Sequence, residues 1–536
     1  MGAGIHAVEL VFLLLLLFVV LFGALAERLK TPYPIVLVIA GLALSFIPAV
    51  PRIMLNPDVV FLVVLPPLLF SGAWTTSWRD FRYNMLSIFS LAFGLVAFTV
   101  LAVAKVTPWF LPDFDWRMGI VLGAVVAPTD AIAATSVAKR VGLPKRVVDI
   151  LEGESLVNDA SALLALEFGL AMLAGGPLPT FREGAYRLAF LIVIGILVGL
   201  VIAEIVHRLE HFIDNAPIEI ALSILTPYAA YLAAEELHAS GVLSVVACGL
   251  YLSRKSSHFF SPDVRLQAWA VWGSLTYVLN GFVFVVIGLQ LPHVLEAIRG
   301  LSKLHLFGYA ASFTAFLILL RLLWVYPGAY LSYYLRRKFL HQHEPTPGAR
   351  QIFVVGWTGM RGVISLAAAL AIPQMIDDRA FVQRNMIIFL AFSVILVTLV
   401  LQGLTLPPLI RALGLAGTGG PDGEEKAARK SMLEAALTFL ESSRQADGQS
   451  EYTGVFDDLE QHYRHRLAVL EDSFSSGDSY SQQHYRRHVD LTRELLELER
   501  RTAVNLRNQG RIDDELLRKL ERELDLEQER LRAKAS

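Results

Sequence analysis

The chain has 536 residues, 54% of them hydrophobic and 18% charged, with a formal net charge of −2 and a mean hydropathy of +0.52. Soluble domains are about 45–50% apolar, so the repeated apolar runs of near-membrane length exclude a soluble globular class and point to a polytopic membrane protein. The single cysteine, Cys248, excludes an intrachain disulfide and a cysteine-built metal site.

The net charge hides an asymmetry. From Pro421 onward there are 25 Asp and Glu against 19 Lys and Arg, a net of −6, which leaves +4 on the preceding part. A positive membrane part suits anionic lipid headgroups. The opening run from Val8 to Ala26 lacks a basic leader and a small-residue cleavage site, so it reads as a first span and not a signal peptide. Hydropathy predicts thirteen spans, at 6–26, 33–47, 57–74, 84–106, 118–139, 147–173, 186–207, 217–235, 239–253, 269–290, 304–334, 351–373 and 385–406. None alternates as a barrel strand does, so the fold class is an all-α polytopic bundle. Sixteen Lys and Arg fall in one set of loops, including Lys139, Arg140, Lys145 and Arg146, and nine in the other. The richer set belongs in the cytoplasm. That places the first residue outside and the C-terminus inside.

Spans five and six carry carboxylates in the middle of apolar sequence. Span five is interrupted by Ala127-Pro128-Thr129-Asp130. Proline removes a backbone donor and breaks the helix. Such a break is tolerated at membrane depth only where protein or a cavity satisfies the freed backbone. Span six carries Glu154, Ser155, Asn158 and Asp159, with Ser155 and Asp159 on one helical face and Glu154 and Asn158 on another. Thr129, Ser155 and Asp159 are a candidate oxygen cage for a hard cation. The alternative is that Asp130 and Asp159 are structural carboxylates paired with arginines. In span eleven, Arg321 is the arginine at membrane depth and the preferred partner for Glu154. Span twelve reads Gly356-Trp-Thr-Gly359-Met-Arg361-Gly362, three glycines around one arginine. If spans one to six and eight to thirteen are repeats about a linking span seven, spans five and twelve correspond. That predicts two inverted six-helix repeats with two broken helices.

A Gly-rich stretch follows, then a charged, leucine-spaced segment. The expected division is a transmembrane domain at 1–411, a linker at 412–423 and a helical cytoplasmic tail at 424–536. His484 and His488 stand four apart, but surface histidines are the default there.

At Pro128-Thr129-Asp130, Gly153-Glu154-Ser155-Leu156-Val157-Asn158-Asp159 and Gly359-Met-Arg361-Gly362, the chain resembles monovalent cation:proton antiporters of the NhaP-like, sodium–hydrogen exchanger branch, over about residues 8–411. The resemblance implies a bacterial inner-membrane homodimer with a mobile core and a separate dimerisation part. It implies exchange of sodium or lithium for protons, with no cofactor, no enzymatic reaction and no nucleic-acid partner. The cation- and proton-binding set would be Asp159, Thr129, Ser155 and Asp130, the cation itself held by Asp159, Thr129 and Ser155. Asp130 and Arg361 would balance helix dipoles at the breaks. Glu154 would pair with Arg321 and steady Asn158. One departure stands out. Members of the branch commonly carry a Glu after a motif like Leu65-Pro-Pro-Leu-Leu-Phe70, where this chain has Ser71-Gly72-Ala73-Trp74. A membrane aspartyl protease lacks its G-x-G-D context here, and a channel lacks a filter-like carbonyl loop. A potassium/proton antiporter of the same fold is the alternative. Asn158 precedes Asp159 and does not titrate, which leaves one exchangeable carboxylate and predicts electroneutral 1:1 exchange.

Overall fold

The computed structural model describes residues 2–47, 56–111, 113–175, 180–259, 262–298, 302–339, 341, 346–376, 379–417, 423–447, 453–472, 479–509, 511 and 513–535. The chain divides into two compact units, Met1–Gly419 and Gly420–Ser536. The first unit is built from helices: α1 (Gly2–Arg28), α2 (Tyr33–Leu44), α3 (Pro57–Thr75), α4 (Trp78–Phe110), the two half-helices α5a (Trp116–Val126) and α5b (Ala131–Val141), α6 (Lys145–Leu173), α7 (Phe181–Glu210), α8 (Ala216–Glu236), α9 (Gly241–Phe259) and α10 (Pro262–Leu289). It continues with α11 (Lys303–Phe339), the half-helices α12a (Ala349–Trp357) and α12b (Val363–Ala371), and α13 (Arg384–Ala412). Among the described residues, nine helices are long and apolar enough to cross a membrane. A two-residue antiparallel pair, Met375–Ile376 with Arg379–Ala380, sits between α12b and α13. The second unit consists of α14 (Gly423–Asp447), α15 (Thr453–Asp472), α16 (Ser479–Asn508) and α17 (Asp514–Ala535). The side chains of His484 and His488 lie outside the described residues.

Local sequence sets the helix ends. The Ser77 hydroxyl accepts from the Asp80 amide to start α4, and the Asp115 carboxylate accepts from Met118 to start α5a. Thr180 and Glu183 form a reciprocal capping box at the start of α7. Gly142, at φ 70°, closes α5b in the left-handed region that glycine adopts without penalty. Three π-helical turns, Val60–Val64, Ser90–Leu95 and Thr398–Gln402, widen α3, α4 and α13.

Two apolar cores organise the first unit. One is formed by α1, α2, α4, α5a, α5b, α6, α10, α11, α12a, α12b, α13 and the first turns of α3. The other gathers α3, α4, α7, α8, α9 and the first half of α10 around Trp272, with Leu156 and Val157 of α6 reaching into it. α6 thus touches both cores, and its polar face lies at their boundary. The helices α2 and α10 cross at Gly41 and Gly288, where a Cβ on Gly288 would stand 2.6 Å from Leu42 N. Only glycine allows that approach. α11 extends beyond the predicted 304–334, to Phe339. Arg336, expected in a cytoplasmic loop, is therefore in its last turn and buried, donating to Ser332 O at 3.4 Å and Ser87 Oγ at 3.3 Å. The helix continues because Ser332-Tyr-Tyr-Leu-Arg336 offers it no breaker.

Candidate functional site

The interruptions of spans five and twelve come together in space. α5a stops at Val126 and α5b restarts at Ala131, while α12a stops at Trp357 and α12b restarts at Val363. The Asp130 amide donates to Met360 O at 2.8 Å, and the Ser365 hydroxyl to Pro128 O at 3.4 Å. Each broken segment thus satisfies backbone groups freed in the other, as buried backbone requires. Gly362 is needed at this crossing, because a Cβ there would fall 2.8 Å from the Asp130 carboxyl carbon.

The half-helix ends carry dipole charge. At the positive end of α5b, Asp130 Oδ1 accepts from the Ile132 amide at 2.8 Å. At the negative end of α5a, Arg361 Nε donates to Val126 O at 3.1 Å, and its Nη1 bonds Gly359 O. The negative end of α12a has an arginine as well. Arg321 donates to Val355 O through Nη2 at 3.1 Å and Nε at 3.4 Å. Both half-helices that end at a break therefore end against a guanidinium.

Arg321 also pairs with Glu154. Nη1 reaches Oε1 at 2.5 Å and Nη2 reaches Oε2 at 2.8 Å, with the two side chains 1% and 2% exposed. This bidentate fork leaves Glu154 one further bond, from the Thr129 hydroxyl at 3.0 Å. Asn158 Nδ2 donates to Thr129 Oγ1 at 2.7 Å. A chain of bonds therefore runs Asn158 to Thr129 to Glu154, with Arg321 at its end. Ser155 Oγ accepts from the Ala131 amide at 3.3 Å, in the first turn of α5b.

Asp159 differs from its neighbours. It is 2% exposed, and no hydrogen bond among the described residues reaches its carboxylate. It faces a cavity of about 170 Å³ with Thr129, Asp130, Ser155 and Asn280, and the cavity wall also includes Thr75, Thr135 and Glu152. Lys139 pairs with Glu152 at 2.8 Å, so the cavity leads toward the end of the bundle that bears the lysine- and arginine-rich loops. α3 contributes Leu65, Leu68, Leu69, Gly72 and Thr75 to this wall.

The structure gathers all eight residues picked from the sequence. Asp159, Asp130, Ser155 and Thr129 line the cavity, and Glu154, Asn158, Arg321 and Arg361 brace the breaks behind it. The sequence reading passed over two residues, Asn280 and Tyr33. Asn280 is the polar residue in the apolar run Val278-Leu-Asn280-Gly-Phe-Val283, a signal that span ten held but that went unused. Tyr33 neighbours both Asn280 and Asp130, a link between α2, α10 and α5b that no local pattern announces.

Comparison with known proteins agrees with this geometry. The family described as sodium/hydrogen exchanger, transmembrane, matches residues 13–412. An uncharacterised Na(+)/H(+) exchanger of Mycobacterium tuberculosis is 34% identical, over 96% of this chain and 94% of its own. A sodium, potassium, lithium and rubidium/H(+) antiporter of Bacillus pumilus is 31% identical, over 82% of this chain and 66% of its own. The fold is that of the sodium proton antiporter MjNhaP1 from Methanocaldococcus jannaschii, with a TM-score of 0.57 at 20% identity, covering 77% of this chain and 99% of that one. The bundle with its two crossed, broken helices is thus an antiporter fold, and the chain is a multi-pass membrane transporter, not an enzyme. It belongs to the sodium/hydrogen exchanger family.

Proposed function

We propose that the protein exchanges sodium or lithium for protons by alternating access, one for one, with Asp159 as the shared carrier. The observation that carries this reading is the state of the four carboxylates and amides at the breaks. Glu154 is held by Arg321 and Thr129, Asp130 caps α5b, and Asn158 is tied to Thr129. Of these four, Asp159 is the one that faces the cavity with no bonded donor among the described residues. A buried carboxylate in that position needs a proton or a cation to neutralise it. The two bind in turn, so one carboxylate couples both fluxes.

Ser155 and Thr129 are the oxygens next to it. Thr129 Oγ1 already bridges Asn158 and Glu154, so it joins the cation shell as a shared oxygen of that bonded chain. Asp130 stands at the edge of the same cavity and sets the potential there. The cycle moves the broken helices and α6 relative to the helices around Trp272, carrying Asp159 from one side of the membrane to the other. The functional unit is a homodimer in a bacterial inner membrane. Residues 1–411 form the transporting part, and the segment from 424 forms a cytoplasmic tail that modulates it. Exchange serves pH and sodium homeostasis.

Potassium is the second reading, favoured by the Bacillus pumilus relative, which is named for potassium as well as sodium, lithium and rubidium. Proton flux in vesicles, followed with a pH-sensitive dye as sodium, lithium or potassium is added, separates the two. Flux on sodium and lithium that is lost in Asp159→Asn supports the proposal. Flux on potassium alone rejects the sodium assignment, and full flux in correctly inserted Asp159→Asn rejects the carrier.

A further inference from the structure

The helix α10 carries a polar side chain into the cavity that the account above does not use. Asn280 is 5% exposed and lines the cavity alongside Asp159, Asp130 and Ser155. Its Oδ1 is buried and has no hydrogen-bond partner among the described residues. A buried amide oxygen left without a donor is destabilising, and a ligand in the cavity it lines would relieve that cost. Asn280 neighbours the Tyr33 hydroxyl, and the Tyr33 ring packs on Tyr277 at 5.2 Å between centroids.

The chemistry fits a cation. A monovalent cation entering this cavity sheds water and needs oxygen ligands in exchange, and an amide carbonyl is one of the hard oxygens such ions accept. Asp159 supplies one charge, and the Thr129 hydroxyl is shared with Glu154 and Asn158. The α3 wall offers mainly Leu65, Leu69 and Gly72. We propose that Asn280 Oδ1 is a direct ligand of the transported monovalent cation, supplied from a helix other than the broken pair and α6. This rests on the reading of Asp159 as carrier. A neutral oxygen at this place has a specific consequence. It binds the cation but not the proton, so it favours the cation in their competition for Asp159 and adds no exchangeable charge.

The test uses the full chain in proteoliposomes, with sodium-driven proton flux and, on the purified protein, the rise in melting temperature caused by sodium. Asn280→Ala is expected to raise the sodium KM about tenfold, one decade of affinity, while the maximal rate changes far less. The sodium-induced rise in melting temperature shrinks with it. If Asn280→Ala does not insert in folded form, the near-isosteric Asn280→Leu carries the same expectation. An unchanged sodium KM in the oxygen-free variants overturns the proposal. Asp159→Asn is measured alongside. If it still exchanges, the carrier reading fails whatever Asn280 does. If it is inactive and Asn280→Ala is normal, only the ligand assignment fails.

Discussion

Consider first the removal of Arg321. Its guanidinium is fully buried and makes two bonds to Glu154 and two to the Val355 carbonyl at the end of α12a. Arg321→Ala leaves Glu154 as an unpaired charge at membrane depth, a loss of about 3–5 kcal/mol for a buried pair. It also removes two of the donors to the Val355 carbonyl, at about 0.5–1.5 kcal/mol per hydrogen bond, leaving the Thr358 hydroxyl at 3.0 Å. Glu154→Gln is milder in shape but leaves Arg321 as the uncompensated charge. Both are expected to melt well below the parent in detergent, with Arg321→Ala the lower of the two. The double variant Glu154→Leu with Arg321→Met removes both charges and is expected to recover much of the loss, since the coupling of a contacting pair is not additive. Melting curves with and without sodium decide the matter. If Arg321→Ala melts like the parent while the sodium-induced rise disappears, the pair is not a structural brace. Glu154 then belongs to the cation shell, and the reasoning is wrong.

Three further outcomes follow from the same geometry. Gly362→Ala places a methyl against the Asp130 carboxyl, 2.8 Å from its carbon, and is expected to abolish exchange and lower the melting temperature; normal flux in this variant contradicts the tight crossing of the breaks. Protons and sodium compete for one carboxylate, so the sodium KM is expected to rise as pH falls, approaching about tenfold per unit at the acid end; a sodium KM independent of pH refutes a shared site. Truncation after Gly417 is expected to leave exchange measurable, with complete loss in a folded truncation as the contrary result. That cut keeps Leu413 and Gly417, whose backbone bonds Arg350 and Val141.

The parts of the site legible in the sequence were those with a local physical signature. Pro128 inside an apolar run announces a break, and the glycines around Arg361 announce another, because both remove helix stability where lipid would demand it. Glu154 and Arg321 stood out as opposite charges at matching depth, and the bidentate pair is what the structure contains. The cross-capping was harder to read. That Arg361 would close α5a at Val126, and Arg321 close α12a at Val355, depends on how two distant segments cross. The Thr129 hydroxyl was assigned as a cation oxygen from its place beside the break. Its bonds to Asn158 and Glu154 depend on the rotation of α6, which spacing does not give. Asn280 was missed because one amide in a strongly apolar span barely alters its hydropathy. Arg336 was missed for the opposite reason, since a run of three basic residues reads as the end of a span and hides a helix that continues through it.

The account's central claim is that one carboxylate, Asp159, serves proton and cation in turn and that no second charge moves with them. It is tested most directly by the null point of exchange in proteoliposomes, the sodium gradient at which net proton flux stops at a given pH gradient. The membrane potential is clamped with potassium and valinomycin, and with a thiocyanate gradient as a control free of a potassium gradient. One net charge moved through 100 mV corresponds to about 2.3 kcal/mol, so an electrogenic carrier shifts its null point strongly. Single-carboxylate exchange predicts a null point set by the pH gradient alone and unmoved by either clamp. A null point that follows the potential would mean that a second group titrates in the cycle, with Asp130 and Glu154 the first to test.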